Sequence, residues 1–178
     1  FSVVRCTPPI RPGSLWPGHT RDGSDEAPMD PGARWNIEPC VASPPSQRNA
    51  VMLVLNLVKD GPGSTYLFGL REGDAVEFKG AAGTFYLRDE ADRDVLLIAT
   101  GTGIAPFRSM LYDLADRRFP GGVTLYWGLR RQQDLYYQDE LEALAKRLAG
   151  LTTVTTISRP EPGWTGEVGR VTRLAEER

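Results

Sequence analysis

The sequence has little cysteine, a single histidine and almost no net charge, and each shortage removes a class of function. Cys6 and Cys40 are too few and too far apart for a disulfide framework or a C-x-x-C metal site, and His19 has no partner histidine. No metal ligands are therefore expected. The formal net charge of -2 supplies no basic field for nucleic acid. No stretch approaches the roughly 18 consecutive apolar residues of a membrane-spanning helix. The first ten residues lack a basic segment followed by an apolar run, so no signal peptide is expected and a reducing cytoplasm is the default compartment. What is present, 178 residues that are 40% hydrophobic, suffices for one ordinary domain or two small ones.

Proline divides the chain. Nine of the 14 prolines fall at or before Pro45, where an internal strand would repeatedly lose ladder donors, and residues 1–40 are expected to be irregular. From Val51 the character changes. Val51 to Val58 is an apolar, β-branched run closed by the turn signal Lys59-Asp60-Gly61-Pro62-Gly63, and it predicts a strand. Tyr66 to Leu70, Ala75 to Lys79 and Thr84 to Leu87 predict three more, separated by glycine-containing turns, so residues 41–90 read as part of a small antiparallel barrel.

Residues 91–178 follow another rhythm. Val95 to Thr100 predicts a buried strand, and Ile104, Phe107, Leu111 and Leu114 then recur at helical spacing. Val123 to Trp127 predicts the next strand. Asp134 is placed to open a second helix with Tyr137, Leu141, Leu144, Ala145 and Leu148 on its apolar face, and Thr152 to Ser158 predicts a third strand. Strand, helix, strand, helix, strand is the grammar of a parallel α/β sheet, whose ligands bind at the carboxyl ends of the strands. The loops after Thr100, Trp127 and Ile157 should share one rim.

The first of those loops is Thr100-Gly101-Thr102-Gly103-Ile104-Ala105-Pro106. Two glycines allow a tight turn and close approach to a ligand, and the following helix N-terminus offers unpaired N–H groups to a phosphate. Pro106 early in the helix loses nothing, because its missing N–H would be unpaired anyway. The usual G-x-G-x-x-G is not met, since Pro106 stands where its third glycine would be, and no Gly-Lys-Ser/Thr follows. On spacing alone, a dinucleotide loop and a plain strand-to-helix turn both stay open.

The string Gly101-Thr102-Gly103-Ile104-Ala105-Pro106-Phe107-Arg108-Ser109 resembles the NAD(P)-binding loop of the ferredoxin-NADP reductase superfamily, which includes the reductase components of bacterial oxygenases. Further matches stand in the family's order. Gly63-Ser64-Thr65 resembles its flavin-phosphate segment, and Gly80-Ala81-Ala82-Gly83-Thr84-Phe85 resembles the turn that ends its flavin barrel. Asp134 to Tyr137 with Asp139 to Leu141, then Ser158-Arg159-Pro160 with Trp164-Thr165-Gly166, resemble its later dinucleotide-domain segments.

The resemblance implies a partial FAD-binding β-barrel followed by an NAD(P)-binding α/β domain. It implies a hydride passed from NAD(P)H to FAD, and electrons passed on to a ferredoxin, an iron-sulfur domain, a haem protein or an oxygenase component. It implies that Gly101, Thr102 and Gly103 contact the dinucleotide phosphates, with Thr100 near the nicotinamide and Ile104 and Pro106 completing the loop. Gly128, Arg130, Ser158 and Arg159 would lie near the adenosine ribose. The arginines favour NADPH and Glu167 opposes it, so the coenzyme stays open. Ser43, Gly63, Ser64 and Thr65 would serve the flavin; no catalytic residue is assigned.

The pattern also breaks. Where the family has Arg-x-Tyr-Ser-x-x-Ser, this chain has Ile37, Glu38, Pro39 and Cys40 before Ala42-Ser43, so three of the four named groups differ. The family's Cys-Gly-x-Pro-x-Met loop does not follow Leu174, and the chain reads as incomplete at both ends. A noncatalytic dinucleotide-binding module, or a fragment without flavin binding, is the competing expectation.

Overall fold

The computed structural model describes residues 2–6 (backbone only), 41–76, 84–88 and 93–177. The Ile37–Cys40 departure and His19 lie outside those residues, as does the whole of the turn at Gly80–Gly83.

Two sheets are present among them. The smaller pairs β1 (Ser2–Cys6) antiparallel with β2 (Val51–Leu55), Val4 opposite Leu53. Strand β1 was not anticipated, because five residues are too few for periodicity to register and its partner lies far along the chain. The expected strand from Val51 ends at Leu55 for a local reason. The Ser64 hydroxyl oxygen accepts from the Val58 N–H at 3.0 Å, and the Gly61 N–H donates to the Val58 carbonyl at 2.9 Å, so Val58 is held in a turn.

The expected strand at Tyr66 to Leu70 is instead a helix, α1 (Pro62–Gly69). Pro62 supplies a preset φ at its first turn, Thr65 N–H reaches the Gly61 carbonyl at 3.0 Å, and the buried residues are Gly63 and Leu67, one turn apart. A short apolar run had been given the wrong period. Of the next two expected strands, Ala75, Val76 and residues 84–88 carry no strand, and residues 77–79 lie outside those described.

The larger sheet orders β3 (Val95–Thr100), β4 (Val123–Leu129), β5 (Leu151–Ile157) and β6 (Glu167–Val168), all parallel. Helix α2 (Ile104–Asp116) joins β3 to β4, and α3 (Gln138–Arg147) joins β4 to β5. The parallel α/β expectation holds, with strand ends shifted by one or two residues. Leu97, Ala99, Leu125 and Trp127 alternate onto the sheet face that packs against Leu111, Leu114, Leu141 and Leu144, all buried.

Asp134 does not open α3. It closes a single 3₁₀ turn, Gln132–Asp134, by accepting from the Arg131 N–H at 3.0 Å, and the helix starts after Tyr137, whose φ is 60°. Asp139 and Glu140 then occupy the first turn and Lys146 and Arg147 the last, each matched in sign to the helix dipole.

A short helix, α4 (Val171–Glu176), lies on the other face of the sheet. A Cβ on Gly128 would stand 2.8 Å from the Val171 Cβ, so this helix approaches β4 more closely than any side chain there would permit. On the same face the buried Thr156 hydroxyl donates to the Gly169 carbonyl at 3.0 Å. Among the described residues no helix is long and apolar enough to cross a membrane.

Candidate functional site

The carboxyl ends of β3, β4 and β5 open on one cleft of about 1030 Å³, at the upper end of the roughly 300–1,000 Å³ common for small-ligand and cofactor pockets. The shared rim expected from the strand order is therefore present. Thr100, Gly101 and Thr102 line it from the first loop, Gly128, Leu129 and Arg130 from the second, and Ser158 and Arg159 from the third.

The first loop is built by a change of hand. Thr100 is still extended at φ -126°, Gly101 turns at φ 50°, and a 3₁₀ turn over Gly101–Gly103 leads into α2. The shape is fixed from beneath. Trp127 Nε1 and the Tyr136 hydroxyl each donate to the Gly101 carbonyl at 3.0 Å, and their rings stack edge to face with centroids 4.8 Å apart. Above the loop the space is open, with no atom within 4 Å of where a Cβ would stand on Gly101 or Gly103. The first N–H groups of this turn and helix have no acceptor within it, so they are available to an anion.

Charge in the cleft agrees with that geometry. Arg130, Arg159 and Arg170 line it against one carboxylate, Asp134, and the excess is positive. Ser158 N–H donates to the Leu129 carbonyl and Arg159 N–H to the Arg130 carbonyl, both at 2.9 Å. The pairing of β4 with β5 thus runs past both strands and sets the two arginines abreast. Burial raises the pKa of the Tyr136 hydroxyl well above its ordinary value, with smaller contributions from Tyr137 and Asp134. It stays a donor to Gly101 at every physiological pH.

The remaining candidates are placed elsewhere. Ile104 is fully buried in the core and Pro106 is half-buried, so both shape the loop without lining the cleft. Ser43 is buried, and its hydroxyl oxygen accepts from the Met52 N–H at 3.2 Å. The Ser64 and Thr65 hydroxyls donate to the Gly61 carbonyl at 3.0 and 2.9 Å, within the first turn of α1. Eight cleft residues escape the sequence reading: Asn56, Leu129, Asp134, Tyr136 and the run Gly169, Arg170, Val171 and Thr172. Asp134 and Tyr136 read from sequence as part of a helix that in fact starts at Gln138, and Arg170 follows a two-residue strand that has no periodic signature.

A parallel sheet whose first loop offers open glycines and helix N–H groups in a cleft lined by Arg130, Arg159 and Arg170 has the form of a dinucleotide-binding α/β domain. The family model of the oxidoreductase NAD-binding domain matches residues 97–178. The reductase component of phenol 2-monooxygenase from Pseudomonas sp. (strain CF600) is 34% identical over 134 residues, which cover 74% of this chain and 38% of that protein. Ferredoxin–NADP reductase B of Sorangium cellulosum (strain So ce56) is 33% identical over 141 residues, covering 79% and 58%. Among solved structures, the Amycolatopsis cytochrome P450 reductase superposes with a TM-score of 0.72 at 26% identity, covering 83% of this chain and 45% of that one. The chain belongs to the ferredoxin-NADP reductase-like family of flavin oxidoreductases, and it spans between about a third and three-fifths of the curated relatives it matches.

Proposed function

We propose that this chain binds NAD(P)H in the cleft at the ends of β3, β4 and β5 and forms the dinucleotide side of a flavin-dependent reductase. The observation that carries the reading is the loop at Gly101–Gly103, open above and fixed beneath, whose Gly101 and Thr102 line one cleft with three arginines while Gly103 lies just outside its lining. Thr100, Gly101, Thr102 and Gly103 hold the pyrophosphate and the nicotinamide ribose side. Arg130, Ser158 and Arg159 hold the adenosine side, and Arg170 faces them from the start of α4.

In this reading residues 41–90 belong to the flavin-binding lobe and 91–178 to the dinucleotide lobe. Ser64 and Thr65 hold the first turn of α1 in shape, so an FAD phosphate would meet the backbone N–H groups of that turn rather than their hydroxyl protons. FAD supplies the capacity to take a hydride from the nicotinamide and return its two electrons one at a time. The protein's part is to orient the dinucleotide against the flavin lobe and to exclude water. The acceptor of those electrons would be an iron-sulfur or haem protein, such as a ferredoxin or an oxygenase component, in the cytoplasm.

Titrating the chain with FAD while following NAD(P)H oxidation by ferricyanide tests this. Flavin-dependent turnover is expected. Dinucleotide binding with no turnover at any FAD concentration would instead make the chain a noncatalytic dinucleotide-binding module, and no dinucleotide binding would refute the reading of the cleft.

A further inference from the structure

One buried cation joins the two sheets, and the cleft does not account for it. Arg108 lies on α2, one turn past the glycine loop, and is 8% exposed. Its Nη1 donates at 2.5 Å to the Ala42 carbonyl, 66 residues away in the segment that pairs with β2, where Ala42 N–H reaches the Met52 carbonyl at 2.7 Å. Its Nη2 meets Glu140 Oε1 on α3, and the same carboxylate oxygen accepts from the Tyr112 hydroxyl at 2.6 Å. The guanidinium also lies over two rings, 4.9 Å from the centroid of Tyr112 and 5.3 Å from that of Tyr137.

Tyr137 adds a second, independent observation. It holds φ at 60°, a region that L side chains adopt only when their surroundings enforce it, and in that conformation its hydroxyl reaches Met52 Sδ at 3.8 Å. Its ring stacks on Tyr136, whose hydroxyl supports Gly101. Among the described residues the apolar contact beside Arg108 has Ala42 and Val54 packing against Ala105, flanked by Met52, Tyr136 and Tyr137, with Phe85 edge to face on Phe107 at 5.6 Å. Arg108 Nε is moreover buried without a partner, so the cation is a costly way to join two elements that an aliphatic side chain would join more stably. What the guanidinium adds over an aliphatic contact is direction, since its fork fixes a backbone carbonyl and a carboxylate at set angles.

We propose that Arg108 is a positioning residue: with Glu140 and Tyr137 it clasps the Ala42–Met52 segment to the helix that begins at the dinucleotide loop, and so sets how the flavin lobe faces the bound nicotinamide. The proposal rests on the reading of the cleft given above. It makes Arg108 important for the chemical step and unimportant for holding the dinucleotide, whose cleft it does not line.

Arg108→Gln, Glu140→Gln and the double variant test it in the full chain, the double variant removing both charges so that no lone ion stays buried. Amide hydrogen exchange is the first measurement. In Arg108→Gln the Ala42 and Met52 amides should exchange about tenfold faster or more, while those of Leu125 and Trp127 in β4 change by less than about twofold. Equal acceleration at all four, or at none, overturns the clasp. The second measurement separates binding from rate in the presence of FAD. The NAD(P)H Kd should stay within about twofold, and flavin-dependent turnover should fall about tenfold to a hundredfold. Turnover unchanged, or lost in step with affinity, overturns the positioning role. A wild-type chain without turnover would sink the reductase reading, and the exchange measurement would then decide the clasp alone.

Discussion

The two glycines of the loop differ in what the fold asks of them, and replacing each by alanine separates the demands of folding from those of a ligand. Gly103 sits at φ -61° and ψ -7°, ordinary helical values, and nothing lies within 4 Å of where its Cβ would stand. The fold therefore does not need glycine at 103. Gly103→Ala should leave the protein as stable as wild type or more stable by about 0.4–1 kcal/mol, because alanine restricts the unfolded chain. The same methyl would obstruct a phosphate drawn against the loop backbone. Losing one hydrogen bond to a charged group costs about 1.5–3 kcal/mol, or roughly 10- to 150-fold in Kd. Gly101 is the opposite case. Its φ of 50° is left-handed, so Gly101→Ala should cost about 1–2 kcal/mol of stability before any ligand is added. Urea unfolding followed by the fluorescence of the buried Trp127 gives the stabilities, and calorimetry with NADH and NADPH gives the affinities. A Gly103→Ala variant that binds both dinucleotides within about twofold of wild type would refute the assignment, since about one decade of affinity is the smallest loss the contact allows.

Other substitutions probe the supports. Gly128→Ala should destabilise by about 1–3 kcal/mol, because its Cβ would stand 2.8 Å from that of Val171, and the loss should be much smaller in a Val171→Gly background, which removes that Cβ, in a double-mutant cycle of urea midpoints. Tyr136→Phe removes one of the two side-chain donors to the Gly101 carbonyl and keeps the ring stacked on Trp127; a stability loss of about 0.5–1.5 kcal/mol is expected from chemical denaturation. Alkaline pH tests the buried phenols. Burial is the largest cause raising Tyr112, Tyr136 and Tyr137 above their ordinary value of 10.0, so folding binds their protons more tightly than the unfolded chain does. Their contribution is fully present below about pH 10 and is lost as the pH rises through the folded values, which urea unfolding across about pH 8–12, with phenolate absorbance alongside, will show.

How much of this was legible beforehand depended on whether a residue's partner lay nearby in sequence. Val95 to Thr100 was readable as a strand end to end, because a β-branched run between a charged turn and a glycine loop has few other fates. The face of α2 was equally plain, since Ile104, Leu111 and Leu114 bury one stripe at helical spacing. The stretch from Tyr66 to Leu70 went wrong because five residues cannot separate a period of 2 from one of 3.6, and the deciding contacts, Ser64 to Val58 and Thr65 to Gly61, are made by polar groups outside the run. Gly101, Gly128, Arg130 and Arg159 are legible through the loops that follow β3, β4 and β5, whereas Gly169 and Arg170 are not, because the two-residue strand before them has no periodic signature. Nor is Tyr136, because its service to Gly101, 35 residues away, depends on a left-handed neighbour that no pattern marks. Arg108 was quoted within the loop string, yet its bond to Ala42 spans 66 residues and became visible only when both segments were folded.

The aromatic pair beneath Gly101 also bears on how fast a ligand can arrive. Trp127 and Tyr136 hold the loop's carbonyl through bonds made wholly within the protein, so the loop's shape does not depend on a ligand to set it. Such a loop gives up little conformational freedom on capture, and the saving appears as affinity that needs no additional contact. It also removes a waiting step. Association should be a single bimolecular event whose observed rate rises in proportion to NAD(P)H concentration, without the plateau that a loop forced to order itself after contact would impose.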